Sequence, residues 1–109
     1  MLSLTVTEIQ GEFRIELDGE LDIETAPELD KAFDKIPPCP RRVVIDCARL
    51  AFLDSSGVGA LLRGAQKLHT GAVPMEVTNL EPDIEEALDV LGFFEVLEAS
   101  GIADRWDQR

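Results

Sequence analysis

Tyrosine is missing from the chain, tryptophan and histidine occur once each, and there are only two cysteines, Cys39 and Cys47. Each shortage removes a class of chemistry. Neither cysteine belongs to a CxxC pair or neighbours the single histidine, His69, so the donor spacing of a metal site is absent and no metal or cofactor is expected. A serine nucleophile needs a histidine in reach. His69 lies at the far end of the helix that begins near Ser56, roughly 20 Å away at 1.5 Å per residue, which excludes a triad. Basic residues are also scarce, 10 against 22 acidic ones for a formal net charge of −12. That balance argues against nucleic acid and anionic membranes and for a protein partner with basic groups. The opening MLSLTVTEIQGEF has no basic leader followed by a long apolar segment, and no apolar run is long enough to cross a bilayer, so a cytoplasmic protein without membrane insertion is expected.

What is present describes one globular domain over residues 1–109. Apolar residues make up 45% and charged residues 29%, with no internal repeat or low-complexity tract, a balance that supports a single core. Leu2, Leu4 and Val6 alternate with Ser3, Thr5 and Thr7, and Phe13, Ile15 and Leu17 alternate with Arg14, Glu16 and Asp18. Period two predicts two strands, and Gln10-Gly11 between them predicts a hairpin turn. Thr25-Ala26-Pro27-Glu28 has the pattern of a capping box, and Ala26, Leu29, Phe33 and Ile36 share one helical face. RVVIDC reads as a strand buried on both faces. Helical spacing resumes at Val58, Leu61, Leu62, Ala65 and Leu68, with Gly71 as the stop. Val73, Met75 and Val77 predict a further strand, Pro82 opens a third helix through Leu91, FFEVLEA predicts a last short strand, and a C-terminal piece surrounds Trp106. The order implies a mixed α/β sheet whose later strands are parallel, with function gathered at their carboxyl ends.

One such end carries FLDSSGVGALL. Asp54, Ser55 and Ser56 are three capping residues in a row where one suffices, and Gly57 and Gly59 each cost roughly 1 kcal/mol relative to alanine inside a helix. The tetrapeptide alone favours a plain cap. Its other reading is a seryl switch, because phosphate on Ser55 or Ser56 adds about −1.5 to −2 charge at a helix N-terminus. An aspartyl-phosphate site at Asp46 is disfavoured, since no acid cluster and no strand-end lysine accompany it.

LDGELDIETAPEL at 17–29 and VVIDCARLAFLDSSGVGALL at 43–62 resemble the STAS domain family, in particular bacterial anti-sigma factor antagonists. The resemblance implies a single STAS-type α/β domain, with a mixed sheet of four to five strands, an N-terminal hairpin and helices packed against it. It also implies a binding switch and not an enzyme. The unphosphorylated form binds an anti-sigma factor serine kinase and releases the sigma factor, phosphorylation ends that complex, and a PP2C-type phosphatase restores it. Carried over to this sequence, the phosphoacceptor is Ser56, with Ser55 second, and no residue is catalytic. Asp54, Gly57 and Gly59 shape the recognition surface, beside Gly19, Glu20, Leu21 and Asp22. The family also includes stressosome and lipid-transport subunits, which form the alternative role, and transporter tails, which the lack of a preceding membrane span disfavours. No glycine-rich phosphate loop suggests a nucleotide.

Overall fold

The computed structural model describes residues 1–102. Strands β1 (Leu2–Ile9) and β2 (Glu12–Leu21) form the expected hairpin. Its turn residues Gln10 and Gly11 both have positive φ, 52° and 86°, the pair of angles that matches a two-residue turn to the twist of the strands. Helix α1 (Ala26–Asp34) leads to β3 (Arg42–Leu53), α2 (Ser55–Thr70), β4 (Met75–Thr78), α3 (Pro82–Val90) and α4 (Phe93–Ala99). The strands lie in the order β1-β2-β3-β4, with β1 antiparallel to β2 and both later pairings parallel. One sheet face packs on the helices through Ile15, Leu17, Val43, Ile45 and Val77, all almost fully buried. The other carries Thr5, Thr7, Arg14, Glu16, Asp46 and Thr78, the polar half of the alternation, together with the buried Val44, so the centre of β3 is buried on both faces as expected.

Helices α1 and α2 are locked together. Arg63 grips Asp30 with two hydrogen bonds of 3.0 and 3.1 Å, and Lys67 reaches Asp34 at 2.7 Å. Between these pairs the Phe33 ring fills the place where a Cβ on Gly64 would be. That glycine is in the helix for packing.

Two expectations change. FFEVLEA is helix α4 and not a strand: Gly92, at φ +83°, ends α3 and starts a new turn, and Val96 donates to the Gly92 carbonyl at 3.0 Å. Phe93 and Leu97, four apart, are both buried. Short apolar runs do not separate strand from helix by pattern alone. The sheet therefore has four strands among the described residues. At the end of α2, Gly71 keeps φ at −86° and Ala72 takes the left-handed angle, +60°. Val73 N–H reaches Leu68 O and Ala72 N–H reaches His69 O, closing the helix one residue later than expected. The piece around Trp106 lies outside the described residues.

On the polar face, the Asp46 carboxylate accepts from Arg14 Nη1, Asn79 Nδ2 and the Ala48 N–H, each at 3.0 Å. Partial burial pushes its pKa up, but these donors outweigh burial and hold it below the usual carboxylate range. A carboxyl with a lowered folded pKa stabilises above its unfolded value, and that contribution is lost as pH falls through the folded one. Asp46→Asn is therefore expected to be less stable than the parent at neutral pH, with the difference closing in acid melts. A gap that persists below the carboxylate range would show that Asp46 does not act through its charge. Ala72→Gly is expected to raise stability by about 0.5–1 kcal/mol, measured by chemical denaturation, because glycine takes the left-handed angle without strain.

Candidate functional site

The entrance to α2 divides its three capping residues between two tasks. Asp54 is the N-cap, in extended geometry (φ −117°, ψ −175°), and its carboxylate accepts from Gly57 N–H at 3.0 Å. Ser55 and Ser56 occupy the first two helical positions. Ser55 is exposed and Ser56 half-buried, and neither hydroxyl has a hydrogen-bond partner among the described residues. The cap is complete without them.

The end of β2 lies directly against this turn. Asp54 N–H donates to Leu21 O at 3.3 Å, and a Cβ built on Gly57 would stand 2.6 Å from the same carbonyl and 2.8 and 2.9 Å from side-chain atoms of Leu21 and Leu53. Gly57 is buried, so its lack of a side chain serves the contact between α2 and β2. Gly59 is different: half-buried, in ordinary helical geometry, it leaves space met only by the tip of Arg63 at 3.2 Å. The two glycines thus have separate physical causes.

The loop after β2 is held by a residue that sequence reading assigned to another role. Thr25 is the N-cap of α1 by position, yet its side chain makes no capping bond. Its buried hydroxyl instead accepts from Asp22 N–H at 2.9 Å and donates to Glu20 O at 2.8 Å. The Asp22 carboxylate turns back to accept from the N–H groups of Glu24 and Thr25. Desolvation pushes the Asp22 pKa up, but the hydrogen bonds from Thr25 and Glu24 prevail and keep it low. Gly19, at φ +118°, brings its chain against Met1 O, which accepts from Glu20 N–H at 2.9 Å. Leu21 and Asp22 are thereby placed beside Asp54, Ser55 and Ser56 at one corner of the fold, with Glu20 opposite Phe52 and Gly19 farther back along β2, opposite Leu50. Leu21 itself is fully buried and supports the corner through its carbonyl and core packing.

Two apolar side chains missed by sequence reading stand on this corner: Ile23 is 72% exposed and Phe52 49%. Phe52 pairs with Glu20 across β2 and β3. The only sequence signal was an apolar residue next to each acidic turn. The two segments 19–24 and 54–59 contain Glu20, Asp22, Glu24 and Asp54 and no lysine or arginine, so the corner is acidic with apolar anchors. No group of acids, cysteines and histidine among the described residues is arranged to hold a metal ion. Cys47 is buried, which with the Asp46 charge pushes its thiol up to about 12 and leaves it unreactive. His69 sits in the last turn of α2, away from Ser56, with its Nδ1 buried and unpartnered among the described residues.

The two glycines make a test. Gly57→Ala is expected to cost about 1–3 kcal/mol, because backbone atoms of Leu21 cannot yield to a methyl group. Gly59→Ala is expected to be neutral or to gain up to about 1 kcal/mol, because only a flexible arginine tip must move. Paired thermal melts read the contrast, and equal losses at both positions would refute the division of roles.

The sequence model of the STAS domain matches residues 3–105. The chain is 27% identical to an anti-sigma F factor antagonist of Paenibacillus polymyxa over 100 residues, covering 88% of this chain and 84% of that protein. It is 26% identical to a STAS-domain-containing protein of Pseudomonas aeruginosa, covering 82% and 88%. Among solved structures, an anti-sigma factor antagonist from Mycobacterium paratuberculosis superposes with a TM-score of 0.73 at 25% identity, covering 88% of this chain and 82% of that one. The phosphorylated form of the Bacillus cell fate determinant SpoIIAA has the same fold, with a TM-score of 0.68 at 20% identity and coverage of 98% and 91%. With a family match that spans nearly the whole length and a hairpin-led mixed sheet to accompany it, this chain belongs to the STAS domain family.

Proposed function

We propose that this protein is an anti-sigma factor antagonist that works by partner switching. In this reading the corner formed by residues 19–24 and 54–59 binds an anti-sigma factor of the serine kinase type while Ser56 is unmodified, which releases a sigma factor. Phosphorylation of Ser56 ends the complex, and a PP2C-type phosphatase restores it. The protein then acts in the cytoplasm as a regulator and not as an enzyme. The observation that carries the reading is the division of labour at the α2 entrance: Asp54 satisfies the cap, which leaves both serine hydroxyls without a structural task. Ser55 is the more exposed of the two. The family motif selects Ser56, so the site of transfer is an experimental question with two distinct answers.

The surroundings also indicate how phosphate acts. With acids on both segments and no basic side chain in either, the arginine tip that reaches this corner is that of Arg63 beside Gly59, and it is already held by two hydrogen bonds to Asp30, so a phosphoryl group must compete for it. The phosphoryl group adds charge and bulk where a partner with basic groups had met a small hydroxyl beside Ile23 and Phe52. Disruption at the interface, with the fold retained, is the consequence.

Incubation with the cognate kinase and ATP is expected to add one phosphate, located at Ser56 by mass spectrometry of the peptide containing DSSG. Ser56→Ala should retain kinase binding, and Ser56→Asp should weaken it by about tenfold or more, about 1.4 kcal/mol, in calorimetric titration. Phosphate on Ser55 alone, or equal affinities for the two variants, would overturn the assignment.

A further inference from the structure

The two edges of the sheet are unequal. β4 spans only Met75–Thr78 and follows Pro74, so it offers little to another strand. β1 is eight residues long, pairs with β2 in unbroken register, and contains no proline, no lysine and no bulge, the devices that usually protect an edge. Beside it, on the helix side of the sheet, runs a groove of 400 Å³ whose apolar floor comes from Leu4, Val6, Phe13 and Ile36. Val6 is 46% exposed and Ile9 72%.

The hydrogen-bond phase of this edge can be read. Glu20 N–H donates to Met1 O, so Met1 and Glu20 form a bonded antiparallel pair, and bonded pairs alternate along the hairpin. The backbone groups of Ser3, Thr5, Thr7 and Ile9 therefore point to β2, while those of Leu2, Leu4, Val6 and Glu8 point outward. We propose that this edge joins a second copy of the chain, β1 antiparallel to β1 about a two-fold axis at Thr5, to make one continuous eight-stranded sheet.

A second copy fits where an arbitrary strand has no such match. With Thr5 opposite Thr5, Leu4 of each copy faces Val6 of the other and Leu2 faces Glu8. All four are the residues with outward backbone groups, so every pairing is a bonded one. The side-chain faces agree as well. Leu4 and Val6 meet over the two grooves, and Ser3 and Thr7 meet on the polar face, a favourable class of cross-strand pair. Glu8 is the only charged residue of β1, and it meets leucine and not its own copy.

Charge on α1 bears on the same axis. The helix starts at the Met1–Glu20 end, where Thr25 bonds Glu20 O, and finishes where Ile36 meets Phe13, so it runs in the direction of β1. A two-fold axis sets the Glu28 end of one helix toward the Lys35 end of the other, in both directions. Glu28, Lys31 and Lys35 all line the groove, so two opposite-charge pairs at its ends stand against one like pair, Lys31 near its own copy at the axis. The net charge of −12 on each copy opposes association, so added salt strengthens the dimer.

Sedimentation of the full chain across two decades of concentration is expected to show the mass rising from one copy toward two, more readily at high salt, with Val6→Lys abolishing the rise while circular dichroism stays unchanged. The register has its own test in a Cys39→Ser background. Thr5→Cys faces itself as a non-bonded pair, at a Cα separation of about 4.5 Å that permits a disulfide. Thr7→Cys stands about four residues from its mate, roughly 13 Å along the strand, and cannot bridge. Mild oxidation is expected to give covalent dimer from Thr5→Cys only. A monomer at every concentration and salt, a dimer that survives Val6→Lys, or bridging no faster at Thr5 than at Thr7 each overturns the proposal.

Discussion

The contact between the first turn of α2 and the end of β2 is the constraint on which the rest of the site depends. Gly57 lets the helix approach until a Cβ at that position would sit 2.6 Å from Leu21 O, and the same carbonyl accepts from Asp54 N–H. That approach joins the parallel pair β2 and β3 to the helix that β3 feeds. It also sets the loop after β2 beside the serines. Were the helix held off by one methyl group, the corner would open, although every motif residue would remain in the sequence.

Around this contact, polar groups are spent on rigidity. Thr25, buried, ties Glu20 O and Asp22 N–H together, and the Asp22 carboxylate collects the N–H groups of Glu24 and Thr25. Asp22, Glu24 and Thr25 on one side of the corner and Asp54, Gly57 and Val58 on the other thus give their N–H groups to oxygen atoms of the protein, which helps to keep a loop in one shape. Left on the outside are two unpartnered hydroxyls and the exposed Ile23 and Phe52, among acids whose charge stays negative although Glu20, Asp22 and Asp54 each accept a hydrogen bond. In the proposed function, a surface of that composition meets a protein with apolar pockets and basic groups and responds to one added negative charge.

The sheet carries a second asymmetry. Helices cover one face and the polar half of the strand alternation occupies the other, where Arg14, Asp46 and Asn79 form a hydrogen-bonded cluster. Growth of the structure by stacking on that face is disfavoured by its charges. Growth at the β1 edge is not, because alternation there places threonine and serine on one side and aliphatic residues on the other.

Local pattern alone made the hairpin, α1, β3, α2 and α3 legible, since each has a long apolar period or a turn residue whose backbone preference is strong. The parallel order of the later strands followed from the crossover rule, and the family resemblance of LDGELDIETAPEL and DSSGVG pointed to the corner before its geometry was known. Sequence did not reveal that FFEVLEA is helical, because seven apolar-rich residues fit either period and the decision rests on packing of Phe93 and Leu97. Nor did it separate Gly57 from Gly59, or show that Thr25 latches the neighbouring loop instead of capping its own helix. Those outcomes belong to the tertiary structure for one reason. They depend on atoms brought together from β2, β3 and the helix ends, and the distances between such atoms are set by how the elements pack and not by any residue's neighbours along the chain.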